Sequence, residues 1–250
     1  MITAEATTSR KPSVAANATL PVRAVNLGKS LDERPILQGI TFDIAQGEFV
    51  ALLGANGAGK STLLKTLSTL ITPSSGTLEL FGHSPRHHAA KIRARLGLIG
   101  HQLMLYGDLT AHENLVFFGR LFGVKNPAER ARSLLVTLGL EKRADDAVKT
   151  FSRGMAQRVS IARALMPDPE LLLADEPFAG LDAPSTDMLE RVLAELHAAG
   201  KTIILANHDI RQSLRLAGRA IVLRKGRKVI DDAASTLDVE TVLHQMSGGA

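Results

Sequence analysis

Phe49-Val50-Ala51-Leu52-Leu53 runs straight into Gly54-Ala55-Asn56-Gly57-Ala58-Gly59-Lys60-Ser61-Thr62, and this junction limits what the chain can become. Five successive apolar residues have the composition of a strand buried on both faces. The segment after them has the G-x-x-x-x-G-K-[ST] spacing of a phosphate-binding loop. Glycines 54, 57 and 59 let the backbone turn tightly and aim its N–H groups inward at a phosphate. Lys60 supplies a fixed cation for β- and γ-phosphates, and the Ser61 hydroxyl is suited to ligate Mg²⁺. Leu63, Leu64, Leu67 and Leu70 then recur at helical spacing, so the loop opens a helix whose N-terminus favours anions.

Composition excludes several classes. With 250 residues, 45% hydrophobic and 22% charged, the chain reads as an ordinary α/β protein with a substantial core. The absence of cysteine removes disulfides, thiolate nucleophiles and cysteine-ligated zinc. No apolar run approaches the roughly 20 residues that span a bilayer. The net charge of +5 is spread along the chain and reads as a solvated surface, so no nucleic-acid partner is expected.

Residues 1–20 lack periodicity and contain no apolar run of signal-peptide length, which predicts a disordered, unsecreted tail ahead of a single domain over 21–250. Strands are predicted at 22–25 and 36–44, beside the nucleotide loop, and again at 77–81 and 96–99. His83-Ser84-Pro85-Arg86-His87-His88 reads as an exposed loop, because no carboxylate or ligand spacing accompanies the histidines. Residues 103–150 form a mostly helical insertion. In it, Thr110 and Glu113 have capping-box spacing ahead of Leu115, Phe118, Leu121 and Phe122, and Asn126-Pro127 starts a second helix that Gly139 ends. Strand–helix alternation then resumes, with strands at 171–174, 202–206, 219–223 and 227–231 and helices near 155–166, 184–199 and 236–246. That pattern predicts a parallel sheet covered on both faces.

Leu171-Leu172-Leu173-Ala174-Asp175-Glu176 is the second chemical constellation. A buried strand ending in an acid is how phosphate-loop ATPases hold the far side of Mg²⁺, the expected role of Asp175. Glu176 follows where a carboxylate can orient and deprotonate the attacking water.

Three further pieces convert an ATPase into a family. Phe151-Ser152-Arg153-Gly154-Met155 opens a helix just before the acidic strand and resembles the Leu-Ser-Gly-Gly-Gln signature of ATP-binding cassette (ABC) proteins. Ala179-Gly180-Leu181-Asp182 looks like the D-loop. His208, after the strand at 202–206, matches the switch histidine, and Gln102, after the strand at 96–99, matches the Q-loop. The resemblance covers residues 22–231. It implies a RecA-like core with an N-terminal antiparallel β subdomain and the helical insertion at about 103–150.

The resemblance also implies the chemistry. ATP and Mg²⁺ are the expected ligands, with residues 54 to 62 cradling phosphate, Ser61, Gln102 and Asp175 near the metal, and His208 on the γ-phosphate. Ser152 and Gly154 would address the γ-phosphate bound by a second cassette, so two cassettes must close face to face. Leu31 stands where the family stacks an aromatic on adenine, which puts apolar contact in place of stacking. Arg153 and Met155 also depart from the signature.

A single cassette without a membrane span resembles the cytoplasmic subunit of an ABC transporter, peripheral on the inner face of the membrane, with residues of about 103–120 meeting integral membrane subunits. Leu98-Ile99-Gly100-His101-Gln102-Leu103 and Leu109-Thr110-Ala111-His112-Glu113-Asn114-Leu115 are similar to the haem exporter ATP-binding subunits of cytochrome c maturation. That resemblance implies powering haem delivery or haem-chaperone release, with haem touching the membrane partners and not this chain. The alternative is an exporter of drugs, lipids or polysaccharide. A soluble cassette acting on ribosomes or DNA fits least, because the chain has no long heptad run.

Overall fold

A computed structural model describes residues 20–100 and 102–248. Residues 1–19, nearly all of the predicted tail, lie outside the described residues.

β1 (Val22–Leu31) and β2 (Arg34–Ile44) form a hairpin that β4 (Ser75–Leu80) extends into an antiparallel sheet of order β2-β1-β4. The larger sheet contains β3 (Phe49–Gly54), β5 (Leu96–Ile99), β6 (Leu171–Asp175), β7 (Thr202–Ala206), β8 (Arg219–Arg224) and β9 (Arg227–Ala233), in the order β5-β6-β7-β3-β8-β9. Five of these strands run parallel, as the alternation predicted, but β9 pairs antiparallel with β8. Only Lys225 and Gly226 join the two strands, and such a short connection can make a hairpin but not a crossover. Their φ values of 48° and 76° are those of a two-residue hairpin turn.

Both faces of the large sheet are covered, and residue alternation divides the core. Phe49, Ala51, Leu53, Leu172, Ala174, Ile203 and Leu205 belong to the cluster that holds α5 (Arg153–Leu165) and α6 (Ala183–Ala198), with α3 (Ala111–Leu121) and α4 (Pro127–Thr137) of the insertion. Val50, Leu52, Leu171, Leu173, Ile204 and Ala206 face the other way, onto Leu63, Leu64 and Leu67 of α1 (Lys60–Leu67) and onto the antiparallel sheet. Truncating one of those α1 leucines to alanine would cost about 2–5 kcal/mol. α7 (Ile210–Leu216) and α8 (Val239–Ser247) complete the α5 side.

Two predicted boundaries move. α1 ends at Leu67 because Thr69 takes φ 63°, so Leu70 leaves the helical stripe and is 57% exposed. The histidine-rich stretch is not a loop: Pro85 begins α2 (Pro85–Arg93) behind the extended Ser84. Proline at the first helical position lacks only an N–H that would be unpaired there, so it starts a helix as readily as it ends one. The His83 and His88 rings approach to 5.1 Å, and no metal-holding group of three His, Asp or Glu side chains occurs among the described residues.

The insertion follows its capping signals. Thr110 Oγ1 accepts from the Glu113 N–H at 3.0 Å, and Glu113 Oε2 accepts from the Thr110 N–H at 2.8 Å. Asn114, fully buried, accepts from the Tyr106 N–H and donates to the Tyr106, Leu109 and Thr110 carbonyls, which fixes the loop ahead of α3.

Candidate functional site

Sheet order brings the motif residues to one edge. β3, β6 and β7 are parallel neighbours, so the loops after Gly54, Asp175 and Ala206 all leave the sheet at its C-terminal end. Ligands of open parallel sheets bind at that end.

Gly54 has φ 155°, and a Cβ there would lie 2.6 Å from the Leu223 carbonyl of β8. Ala55, Asn56 and Gly57 form the exposed tip of the loop, and Ala58, Gly59 and Lys60 return into the core. Gly59 takes φ 105° and precedes α1 without any side-chain cap, so no side chain occupies the first N–H groups of α1 from the cap position. Unpaired helix N-terminal amides in that position suit an anion. Ser61 and Thr62 occupy the first turn of α1.

Lys60 is 7% exposed, and its Nζ donates to the Gly54 carbonyl at 2.7 Å and the Ala55 carbonyl at 3.2 Å. Its ammonium therefore lies inside the loop. Burial pushes its pKa down, while the charges of Glu176 and Asp175 push it back up. Ser61 Oγ donates to Asp175 Oδ1 at 3.2 Å. Burial holds the Asp175 carboxyl above its ordinary range, helped by Glu176 and opposed by the Ser61 hydrogen bond and by Lys60 and Lys65.

Glu176 turns the chain out of β6 with φ 51°, and its N–H donates to the Ala206 carbonyl of β7 at 2.8 Å. A glutamate in the left-handed region is strained by about 1–3 kcal/mol and persists only where its surroundings impose it. Here the neighbouring strand end does so. His208 is exposed two residues past β7, the strand between β6 and β3. Gln102 is exposed beyond β5, one strand further out.

Ser152 caps α5, its Oγ accepting from the Met155 N–H at 3.3 Å. A Cβ on Gly154 would stand 3.5 Å from Ser185 Oγ, and the Arg153 side chain lies over Gly180. Gln157, also on α5, donates to the Pro177 carbonyl. The signature-like helix is thus tied to the segment that follows Glu176. Leu31 ends β1 at the hairpin tip and is 44% exposed.

The structure joins Ser61 to Asp175 directly and places Lys60 and Glu176 close enough for their charges to act on each other and on Asp175. Gln102, His208, Ser152, Gly154 and Leu31 make no side-chain hydrogen bond to those four among the described residues. Sequence reasoning missed Gly226. Its N–H donates to the Ala58 carbonyl and its carbonyl accepts from the Gln38 N–H, so the β8–β9 turn clamps the phosphate-type loop onto β2. The signal was the glycine at the centre of Arg224-Lys225-Gly226-Arg227-Lys228, the polar break between two apolar runs. It also missed Asn207, 1% exposed and bonded to the His208 N–H.

Mg²⁺ fits this donor set. Ser61 and Asp175 offer adjacent hard oxygens, and this cation commonly takes few protein ligands together with phosphate and water.

Comparison with known proteins agrees with the geometry. Residues 37–179 match the ABC transporter family. The chain is 34% identical over 234 residues to the linearmycin resistance ATP-binding protein of Bacillus subtilis, covering 91% of this chain and 75% of that one. It is 40% identical over 211 residues to a Nod factor export ATP-binding protein of Paraburkholderia xenovorans, covering 84% and 69%. Among solved structures, an ATP-binding subunit of an ABC transporter superposes with a TM-score of 0.84 at 29% identity, over 92% of this chain and all of that one. A dimeric ATP-binding cassette in a post-hydrolysis state, bound to ADP and Pi, superposes at 0.79 with 30% identity, over 85% and 98%.

Proposed function

The chain belongs to the ABC transporter family as an ATP-binding, ATP-hydrolysing subunit, and from that premise we propose that it powers an exporter of drug, lipid or polysaccharide type. The observation that carries this reading is the pair of relatives named for linearmycin resistance and for Nod factor export, each aligned over most of this chain. It displaces the haem expectation, since neither relative is named for haem. The residues behind that expectation have another use in this chain: Thr110 and Glu113 cap α3, and Asn114 fixes the preceding loop.

In the proposed mechanism the residues mainly position charge. Lys60 leaves the Gly54 and Ala55 carbonyls for the β- and γ-phosphates, and the α1 N-terminus holds the β-phosphate. Glu176 orients the attacking water and takes its proton. His208 contacts the γ-phosphate from the strand end between Glu176 and the loop. Ser61 and Asp175 would hold Mg²⁺, with Gln102 near it, and the bound ion would neutralise charge on the phosphate oxygens. Ser152 and Gly154 place the α5 N-terminus on the γ-phosphate bound by a second cassette, a reading supported by the dimeric neighbour. Leu31 would give adenine an apolar contact.

Residues 103–120 carry the proposed contact with the membrane subunits. Leu109, Val116, Phe117, Leu121 and Ala128, with His112, Glu113 and Arg120, line a groove of about 630 Å³; Phe117 and Leu121 are exposed, as is Tyr106, whose ring meets that of Phe117. No helix among the described residues is long and apolar enough to cross a membrane.

The test is to express tagged Glu176→Gln in native cells, solubilise membranes with ATP, and identify what co-purifies. Recovery of a drug-, lipid- or polysaccharide-type permease is expected. Recovery of cytochrome c maturation membrane subunits would overturn the substrate assignment and restore the haem reading.

A further inference from the structure

His208 sits at the end of a chain of hydrogen bonds that begins on α6. The His208 N–H donates to Asn207 Oδ1 at 2.9 Å, and Asn207 Nδ2 donates to Gln212 Oε1 at 2.8 Å. Gln212 Nε2 in turn donates to Glu190 Oε1 at 2.8 Å, where Arg215 also donates at 2.6 Å. Asn207 is buried and the Glu190 side chain only 16% exposed.

The direction of every bond follows from the carboxylate. An ionised Glu190 accepts only, so Gln212 must turn its NH₂ toward it. Gln212 then presents its carbonyl oxygen to Asn207, Asn207 must answer with its NH₂, and the Asn207 oxygen is left for the His208 N–H. Reversing Asn207 would set donor against donor at His208, and reversing Gln212 would do so at Asn207 and set oxygen against oxygen at Glu190. The Asp209 carboxylate pins the same turn by accepting from the Gln212 N–H at 2.9 Å.

We propose that Glu190, Gln212 and Asn207 are positioning residues, a polarity relay that fixes the backbone at His208 and links it to α6, the helix that begins at Asp182. This rests on the reading of His208 as the γ-phosphate contact. The relay explains why an amide pair, rather than apolar residues, occupies the space between α6 and the β7 terminus. It also joins α6, which follows the Glu176 segment, to the segment bearing His208.

The test moves the charge by one side chain. Gln212→Glu faces two carboxylates across a hydrogen-bond distance and leaves no donor between them. Adding Glu190→Gln removes one of the two carboxylates and returns a donor between positions 190 and 212. The amide introduced at position 190 then donates to the carboxylate introduced at position 212, which still accepts from Asn207; the Arg215 bond, which meets Glu190 at the same Oε1, is given up. The expected result is a fall in kcat of about tenfold for Gln212→Glu, the order of one lost hydrogen bond, with KM for ATP held, and recovery in the double variant. Hydrogen exchange at the His208 amide should quicken in Gln212→Glu and slow again in the double variant. If the second substitution restores neither rate nor protection, or if Gln212→Glu changes neither, the relay is overturned. His208→Ala is the separate control. Full hydrolysis in that variant would discard the role of His208, and the amide exchange alone would then decide the relay.

Discussion

Ser61 Oγ donates to Asp175 Oδ1 across 3.2 Å, joining residues 114 positions apart through the ends of two strands that flank β7. The contact places one neutral and one anionic oxygen side by side at the foot of α1. If these oxygens hold Mg²⁺, Asp175→Asn should bind ATP equally with and without the ion, whereas the unaltered chain binds more tightly with it. Nucleotide titration in Mg²⁺ and in EDTA measures the difference, and an undiminished Mg²⁺ dependence would remove Asp175 from the site.

Lys60 donates to two loop carbonyls, so its ammonium is already positioned where phosphate would enter. Lys60→Ala should lower hydrolysis by about 10²-fold or more, because charge developing on phosphate loses its fixed cation. Turnover within a factor of about two of the unaltered chain would refute the assignment.

The strand, loop and helix around Lys60 were legible because each carries its own signal: an unbroken apolar run, glycines at set spacing and a leucine stripe. Asp175 and Glu176 were legible for a similar reason, as acids ending a buried strand. What escaped depends on contacts distant in sequence. Gly226 matters because β2 passes within reach of it, and Asn207 because Gln212 links it to Glu190 on α6. Pro85 misled for a local reason, since proline both ends and begins helices. The haem resemblance finds no support in the relatives, which are named for linearmycin resistance and Nod factor export, and three of its residues, Thr110, Glu113 and Asn114, also serve to build α3 and the loop before it.

Gly226 cannot accept a side chain. A Cβ there would stand 2.1 Å from the Ile36 carbonyl oxygen, at φ 76°. Gly226→Ala should destabilise the fold by about 1–3 kcal/mol from backbone strain alone. It should also raise KM for ATP, since the Ala58 bond is the contact displaced. Urea unfolding and steady-state kinetics measure the two effects, and an unchanged KM would separate this turn from the loop.

An ion cluster ties β8 to β9 and to Glu48. Arg219 Nε meets Asp231 Oδ1 at 2.7 Å, Arg219 Nη1 meets Glu48 Oε2 at 3.0 Å, and Lys228 meets Asp231 Oδ2. Burial alone would raise the Asp231 carboxyl, but the Arg219 and Lys228 contacts prevail and hold it below the ordinary range. A carboxyl depressed in the folded state stabilises fully above its unfolded pKa of about 4, and that stability fades as pH falls through the lower folded value. Asp231→Asn should therefore be less stable than the unaltered chain at neutral pH, with the gap narrowing below about pH 4. A gap independent of pH, measured by urea unfolding, would show that Asp231 acts through packing.

The central claim, that Glu176 activates water in a site completed by a second cassette, is tested most directly by the mass of Glu176→Gln in solution. With excess Mg-ATP, light scattering should show this variant at twice its monomer mass, returning to monomer when ADP replaces ATP. A variant that stays monomeric with ATP bound, or one that hydrolyses ATP at the unaltered rate, would contradict the account.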